Sequence, residues 1–183
     1  MSITTLYDTL DNSLFSQLKA IRLLVCDVDG IFSDGRIYLG NNGEEYKAFH
    51  TKDGYGIKSL SQIGVDVAVI TGRQSHIVEQ RMNALGVKHI IQGCETKGLA
   101  LSRLLQELSL SPEQVAAMGD DMPDLAMFAH AAVKITVDDG HPQVKQQANW
   151  ITTTAGGKGA VREVTDTLLQ AHGALDDIHG ASI

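Results

Sequence analysis

The 183-residue chain has little of what would tie it to an extracellular, membrane or nucleic-acid setting. It has two cysteines, Cys26 and Cys94, too few for a disulfide framework, which fits a reducing cytoplasm. No apolar stretch approaches the ~18–20 residues that a membrane span needs. Residues 1–20 carry Asp8 and Asp11 and show neither the basic start nor the apolar run of a secretory leader. Basic residues are in the minority: 15 Lys+Arg against 22 Asp+Glu give a net charge of −7. That balance argues against a nucleic-acid binder, which draws its affinity from neutralising phosphates. No repeat, linker or charge run divides the chain, so one domain over residues 1–183 is expected. What is present, 43% hydrophobic and 20% charged residues, is the composition of a globular protein with one packed core. An acidic protein still holds phosphate where a cation reverses the local sign, so the positions of the acids matter more than their sum.

Short apolar runs alternate with amphipathic ones, the pattern of a Rossmann-like α/β fold with helices flanking a parallel sheet. Residues 22–28 are nearly continuous apolar, as in a strand buried on both faces, and residues 65–70, 87–91, 115–118 and 133–137 repeat the theme. Helices are predicted over residues 54–63, 75–85, 98–108, 123–128, 142–147 and 159–172. Leucines at 99, 101, 104, 105 and 108 give the third of these its apolar face. Ser111, Pro112 and Glu113 read as a cap with proline at the first helical position. Residues 1–20 read as a further amphipathic helix with Leu10, Leu14 and Leu18 on one side. One segment breaks the alternation: β-rich arms around Asn41, Asn42 and Gly43 predict a β-hairpin inserted after the first strand, within residues 31–50. The tail, residues 173–183, has little apolar content and reads as mobile.

Four short motifs fall at predicted strand ends or helix starts, where an open α/β sheet binds its ligands. Asp27-Val28-Asp29-Gly30 ends the first strand, and its alternation brings both carboxylates to one side. Such a pair repels unless a cation binds or one member keeps a proton, an arrangement suited to nucleophile-plus-acid chemistry; the plainer reading is a polar strand end with an Asp-Gly turn. Asp120, Asp121 and Asp124 cluster where another apolar strand ends, a hard-oxygen set suited to Mg2+. Helix capping accounts for one or two of these acids but not for three opposite a second acidic strand end. Thr71, Gly72 and Arg73 follow the second strand, offering a hydroxyl and backbone N–H groups for phosphate oxygens, or simply a turn. Lys97 precedes the Leu-rich helix; taken alone it reads as a solvated surface lysine.

In this order the four motifs resemble the haloacid dehalogenase superfamily of phosphohydrolases. Phe49, His50, Asp53 and Gly54 of the hairpin region, with the Gly-rich segment Gly156, Gly157, Lys158 and Gly159, narrow the resemblance to its capless sugar-acid phosphatases, over roughly residues 20 to 170. The resemblance implies that Asp27 is the nucleophile, forming an aspartyl-phosphate, and that Asp29 is the general acid and then the base. It further implies Mg2+ held by Asp27, the Asp29 carbonyl and Asp120, with Asp121 or Asp124 in support. Thr71, Gly72 and Lys97 would bind the phosphoryl group. The implied substrate is an eight-carbon ulosonate phosphate of lipopolysaccharide-sugar synthesis, with a nine-carbon analogue as alternative. For its carboxylate Arg73 is the first candidate, ahead of His50 and Lys158. The implied assembly is a cytoplasmic homotetramer in which one subunit's hairpin covers a neighbour's site. Ile37, Leu39, Tyr46 and Phe49 need burial there or against their own core. The Gly-rich segment is either a mobile flap or a plain turn. A receiver-type signalling module is disfavoured because the middle strand ends in Thr71 rather than an acid, and a silent scaffold because Asp27, Asp29, Lys97 and Asp120 are all present.

Overall fold

The structure, a computed structural model, describes residues 2–177. The chain opens with a small antiparallel pair, β1 (Ser2–Thr4) and β2 (Thr9–Asp11), and only then a helix, α1 (Asn12–Leu18). The helix expected over residues 1–20 is thus cut short. Asp11 is the reason: its carboxylate accepts the Ser13 N–H at 2.7 Å and caps α1 there, while β-branched Ile3, Thr4 and Thr9 suit extended backbone. Leu10, Leu14 and Leu18 are all buried as expected, the first from the strand.

Next come β3 (Leu23–Cys26), the hairpin strands β4 (Tyr38–Leu39) and β5 (Glu45–Tyr46), and α2 (Thr51–Gln62). The rest alternates: β6 (Asp66–Ile70), α3 (His76–Ala84), β7 (His89–Ile91), α4 (Lys97–Leu108), β8 (Val115–Met118), α5 (Leu125–Phe128), β9 (Val133–Thr136), α6 (Pro142–Gln147), β10 (Trp150–Ile151) and α7 (Ala160–Ala171). Six strands form one parallel sheet in the order β10-β9-β8-β3-β6-β7. Two-residue β10 is too short to show as an apolar run, and Ser111 leads only into a 3-10 turn, Pro112–Gln114, not a helix.

From β3 the chain winds outward through β6 and β7, returns to β8 on the other side of β3, and winds outward again. The winding reverses between β3 and β8, where connecting loops part and leave a crevice at the strands' carboxyl ends. Register sets what faces it: Cys26 pairs with Met118, so Asp27 and Gly119-Asp120 emerge side by side. Both faces of β3 are buried, as its continuous apolar run predicts. Leu24 and Cys26 join the core under α1, α2, α3 and α7, whereas Leu23 and Val25 join the core under α4, α5 and α6. Leu101, Leu104 and Leu105 of α4 are buried, each contributing roughly 1.5–3 kcal/mol. Leu99, off that stripe, stays exposed.

The inserted hairpin is shorter than predicted. Ile31, Phe32 and Ser33 are buried, and the ladder pairs only Tyr38 with Tyr46 and Leu39 with Glu45 around the expected turn. Its apolar side chains divide: Phe49 packs against the core, while Ile37, Leu39 and Tyr46 are 49%, 72% and 60% exposed. Of the tail expected to be mobile, Ala174 and Leu175 pack on the core; residues 178–183 lie outside the described residues.

Candidate active site

The crevice between β3 and β8 encloses about 600 Å³ and is lined by Asp27, Asp29, Thr71, Gly72, Arg73, Lys97, Asp120, Asp121 and Asp124, among others. Nine of the eleven residues singled out from sequence as site candidates therefore meet at one place. The other two do not line it. His50 caps α2, its Nδ1 accepting the Lys52 N–H at 3.2 Å, and Lys158 is exposed nearer Asp34. Neither lies in the crevice of its own chain.

Lys97, which on its own reads as a surface residue, is at the floor. It is buried at the first turn of α4, and its Nζ donates to Asp27 Oδ1 and Asp124 Oδ1, each at 2.7 Å. Asp124 is committed on both oxygens, because Oδ2 accepts the N–H groups of Asp120 at 2.9 Å and Asp121 at 3.1 Å. Asp121 is exposed and caps the following turn through Met122 N–H. Of the two supporting acids, then, Asp124 organises the loop and Asp121 holds its edge. Asp27, Asp120 and Asp124 each bring an oxygen within 4.8 Å of the others.

Three carboxylates against one ammonium leave a formal charge of −2 in a poorly solvated place. Burial, with Asp124 beside it, raises the Asp27 carboxyl to about 6 despite Lys97. Burial, then Asp124, Asp27 and Asp121, raises Asp120 further, to about 8. Burial works against the charge on Lys97, but Asp27 and Asp124 outweigh it and hold the ammonium above its ordinary value. At neutral pH Asp120 therefore keeps a proton unless a cation takes its place. Its Oδ1 is buried with no hydrogen-bond partner. An orphaned oxygen beside two other carboxylates fits a divalent cation, and an all-oxygen donor set fits Mg2+.

Glycine makes this closeness possible. Gly30 sits at φ +94, and a Cβ there would lie 2.1 Å from Asp120 Oδ2, so the Asp-Gly turn and the acidic site are one feature. Behind it, a Cβ on Gly156 would fall 1.7 Å from the Gly30 carbonyl oxygen, and Gly157 N–H donates to Ile31 O at 2.9 Å. Buried Glu163 on α7 fixes that segment by accepting from the backbone and hydroxyls of Thr153 and Thr154. The Gly-rich segment is thus packed as a brace under the Asp27–Gly30 turn.

The rim is built differently. Asp29 Oδ1 accepts from Lys47 Nζ, and Ser33 Oγ lies 3.3 Å away. Arg73 reaches Glu45 Oε2 at 3.3 Å and Asp29 Oδ2 at 3.9 Å. Lys47 and Glu45 are site neighbours the motif reading missed. The signal was available: inward and outward positions alternate through residues 45–49, which puts Glu45, Lys47 and Phe49 on one face.

Comparison with known proteins bears on the same place. The haloacid dehalogenase-like hydrolase family matches residues 89–164. The chain is 46% identical over its full length to the 3-deoxy-D-manno-octulosonate 8-phosphate phosphatase of Escherichia coli K12, covering 97% of that protein. The crystal structure of the phosphatase of that name from Yersinia pestis is 45% identical and superposes with a TM-score of 0.97, covering 100% of this chain and 99% of that one. The Moraxella catarrhalis phosphatase, solved with magnesium, phosphate and the sugar acid, is 42% identical with a TM-score of 0.88 over 91% of this chain and 95% of that one.

Proposed function

The chain belongs to the 3-deoxy-D-manno-octulosonate 8-phosphate phosphatases, within the haloacid dehalogenase-like hydrolases, and from that membership we propose that its crevice hydrolyses this ulosonate phosphate in lipopolysaccharide precursor synthesis. The observation that carries the assignment to these residues is the meeting of Asp27, Lys97, Asp120 and Asp124 at the point where the sheet's winding reverses.

Asp27 attacks phosphorus; the bond to the sugar oxygen breaks, and Asp29 delivers its proton to that oxygen. Asp29 then takes a proton from water, whose oxygen attacks the aspartyl-phosphate and frees phosphate and the Asp27 carboxylate. Asp27, Asp120 and the Asp29 carbonyl would hold Mg2+, which supplies the positive charge that lets a carboxylate approach a phosphate dianion. Asp124 keeps Lys97 and the Asp120–Asp121 backbone in place. Thr71, the Gly72 backbone and Lys97 receive the phosphoryl oxygens, and Arg73 receives the sugar carboxylate. A Cβ at Gly72 would meet only Cys94 O, at 3.7 Å, so the glycine serves by leaving the wall open rather than by its backbone conformation.

The remaining features belong to the same reading. The chain acts as one domain in the cytoplasm, and no helix among the described residues is long and apolar enough to cross a membrane. Exposed Ile37, Leu39 and Tyr46 support a homotetramer in which a neighbour's hairpin covers the crevice. Phosphate release from eight- and nine-carbon ulosonate phosphates, with Mg2+ and with chelator, tests the proposal. Mg2+-dependent turnover with higher kcat/KM on the eight-carbon ester is expected. Preference for the nine-carbon ester would move the substrate, and a phospho-protein that persists for hours without turnover would replace the enzyme by a receiver.

A further inference from the structure

At the rim, charges alternate around a closed ring. Lys47 Nζ donates to Asp29 Oδ1 and stands 3.8 Å from Glu45 Oε1. Arg73 stands 3.3 Å from Glu45 Oε2 and 3.9 Å from Asp29 Oδ2. The lysine side chain is 1% exposed and the arginine 44%, so the ring is anchored on its hairpin side and open on its crevice side. Two cations and two carboxylates cancel, and none of the four is drawn into the floor.

A sugar-acid phosphate brings two anionic groups into this crevice. Lys97 is committed to Asp27 and Asp124 and, in the reading above, to the phosphoryl group. Of the other cations, Arg73 lines the crevice and Lys47 is buried behind Asp29, and both are held by Asp29 and Glu45. Arg73 makes a single hydrogen bond there, to Glu45, so most of its five donors are unspent. Asp29, meanwhile, needs a carboxylate oxygen turned toward the leaving group rather than toward a lysine.

We propose that the substrate's carboxylate takes Lys47 and Arg73 over from the ring and thereby frees Asp29, making Lys47 a specificity-determining residue that couples recognition of the acid group to the proton transfer. The inference rests on Asp29 being the general acid. A phosphate ester with no carboxylate leaves the ring closed and is a poor substrate even when its phosphate is well bound.

The test compares kcat/KM for the ulosonate 8-phosphate with that for a neutral hexose 6-phosphate, with Mg2+, in full-length protein. In Lys47→Met the preference for the ulosonate ester is expected to fall about tenfold, the worth of a charge-assisted hydrogen bond, and Lys47→Arg is expected to restore most of it. Glu45→Gln, which removes the competing anion, is expected to raise the preference about threefold, and it serves if Lys47→Met does not fold. A preference unchanged in these variants, whether both rates fall together or neither moves, overturns the proposal. Wild-type protein that hydrolyses neither ester would instead overturn the phosphatase reading.

Discussion

The crevice holds two sets of opposed charges that a contact list would treat alike. At the floor, Lys97 lies between Asp27 and Asp124 with both bonds at 2.7 Å and all three side chains buried. At the rim, Arg73 bridges Asp29 and Glu45 across 3.9 and 3.3 Å from a half-exposed position. Water screens the rim pairs and competes for them, so they exchange partners at little cost. The floor is buried and poorly solvated; there, each charge depends on its partners.

The largest break in that comparison is at the floor itself. Asp27→Asn should lower kcat by at least ~10^3-fold in a phosphate-release assay while the protein stays folded, because the proposed nucleophile goes but its shape remains. Activity within about tenfold of wild type would remove Asp27 from that role. Next, Lys97→Met should cost about 3–5 kcal/mol in urea unfolding by stranding two buried carboxylates, whereas Arg73→Met should cost at most about 1 kcal/mol. Equal costs would show that burial is not what separates floor from rim. Gly156→Ala should be smaller, roughly 1–3 kcal/mol, as its Cβ pushes on the Gly30 carbonyl. It should also raise the Mg2+ concentration needed for half-maximal activity, a shift that mere loosening elsewhere would not produce.

Burial that outweighs its charged neighbours, Arg162 and Arg81, is the finest case. Asp53 on α2 accepts the Arg162 N–H at 2.8 Å, but its Oδ2 is buried with no hydrogen-bond partner. Burial raises its carboxyl from 3.8 to about 7, against the pull of Arg162. The folded protein therefore binds a proton between those values that the unfolded chain has released, so its contribution is full below 3.8 and is lost as pH rises to about 7. Asp53→Asn should flatten that decline and stabilise the metal-free protein at pH 8 by on the order of 1 kcal/mol, read from thermal melts at pH 5 and 8. A parallel pH slope in variant and wild type would place the titration elsewhere.

Much of this was legible because strand ends advertise themselves. Unbroken apolar runs located β3, β6 and β8, and the polar residues that ended them, Asp27, Thr71 and Asp120, had to face the same edge. Lys97 was legible only in company, since a single lysine at a helix start carries no sign that a carboxylate waits on either side. Lys47 belongs to no motif of its own: Asn41-Asn42-Gly43 marks the turn, and only the alternation beyond it places Lys47 on the inner face. At the amino terminus the i, i+4 spacing of Leu10, Leu14 and Leu18 fits one helix, yet Asp11 lets a strand and a helix share the same buried line. The brace was missed for a different reason: close approach of Gly156 to Gly30 is a contact between distant parts of the chain, and no local pattern encodes it.

That brace also has a consequence in time. A ribosome makes Asp27 and Asp29 before Asp120, and all three before Gly156 and Glu163. Until they do, the turn bearing Asp27 and Asp29 lacks the backing that positions its carbonyls, and α2 lacks α7 to pack against. An interrupted translation product thus carries the reactive acids without the brace beneath their turn. The acids written earlier in the chain wait on a support written later.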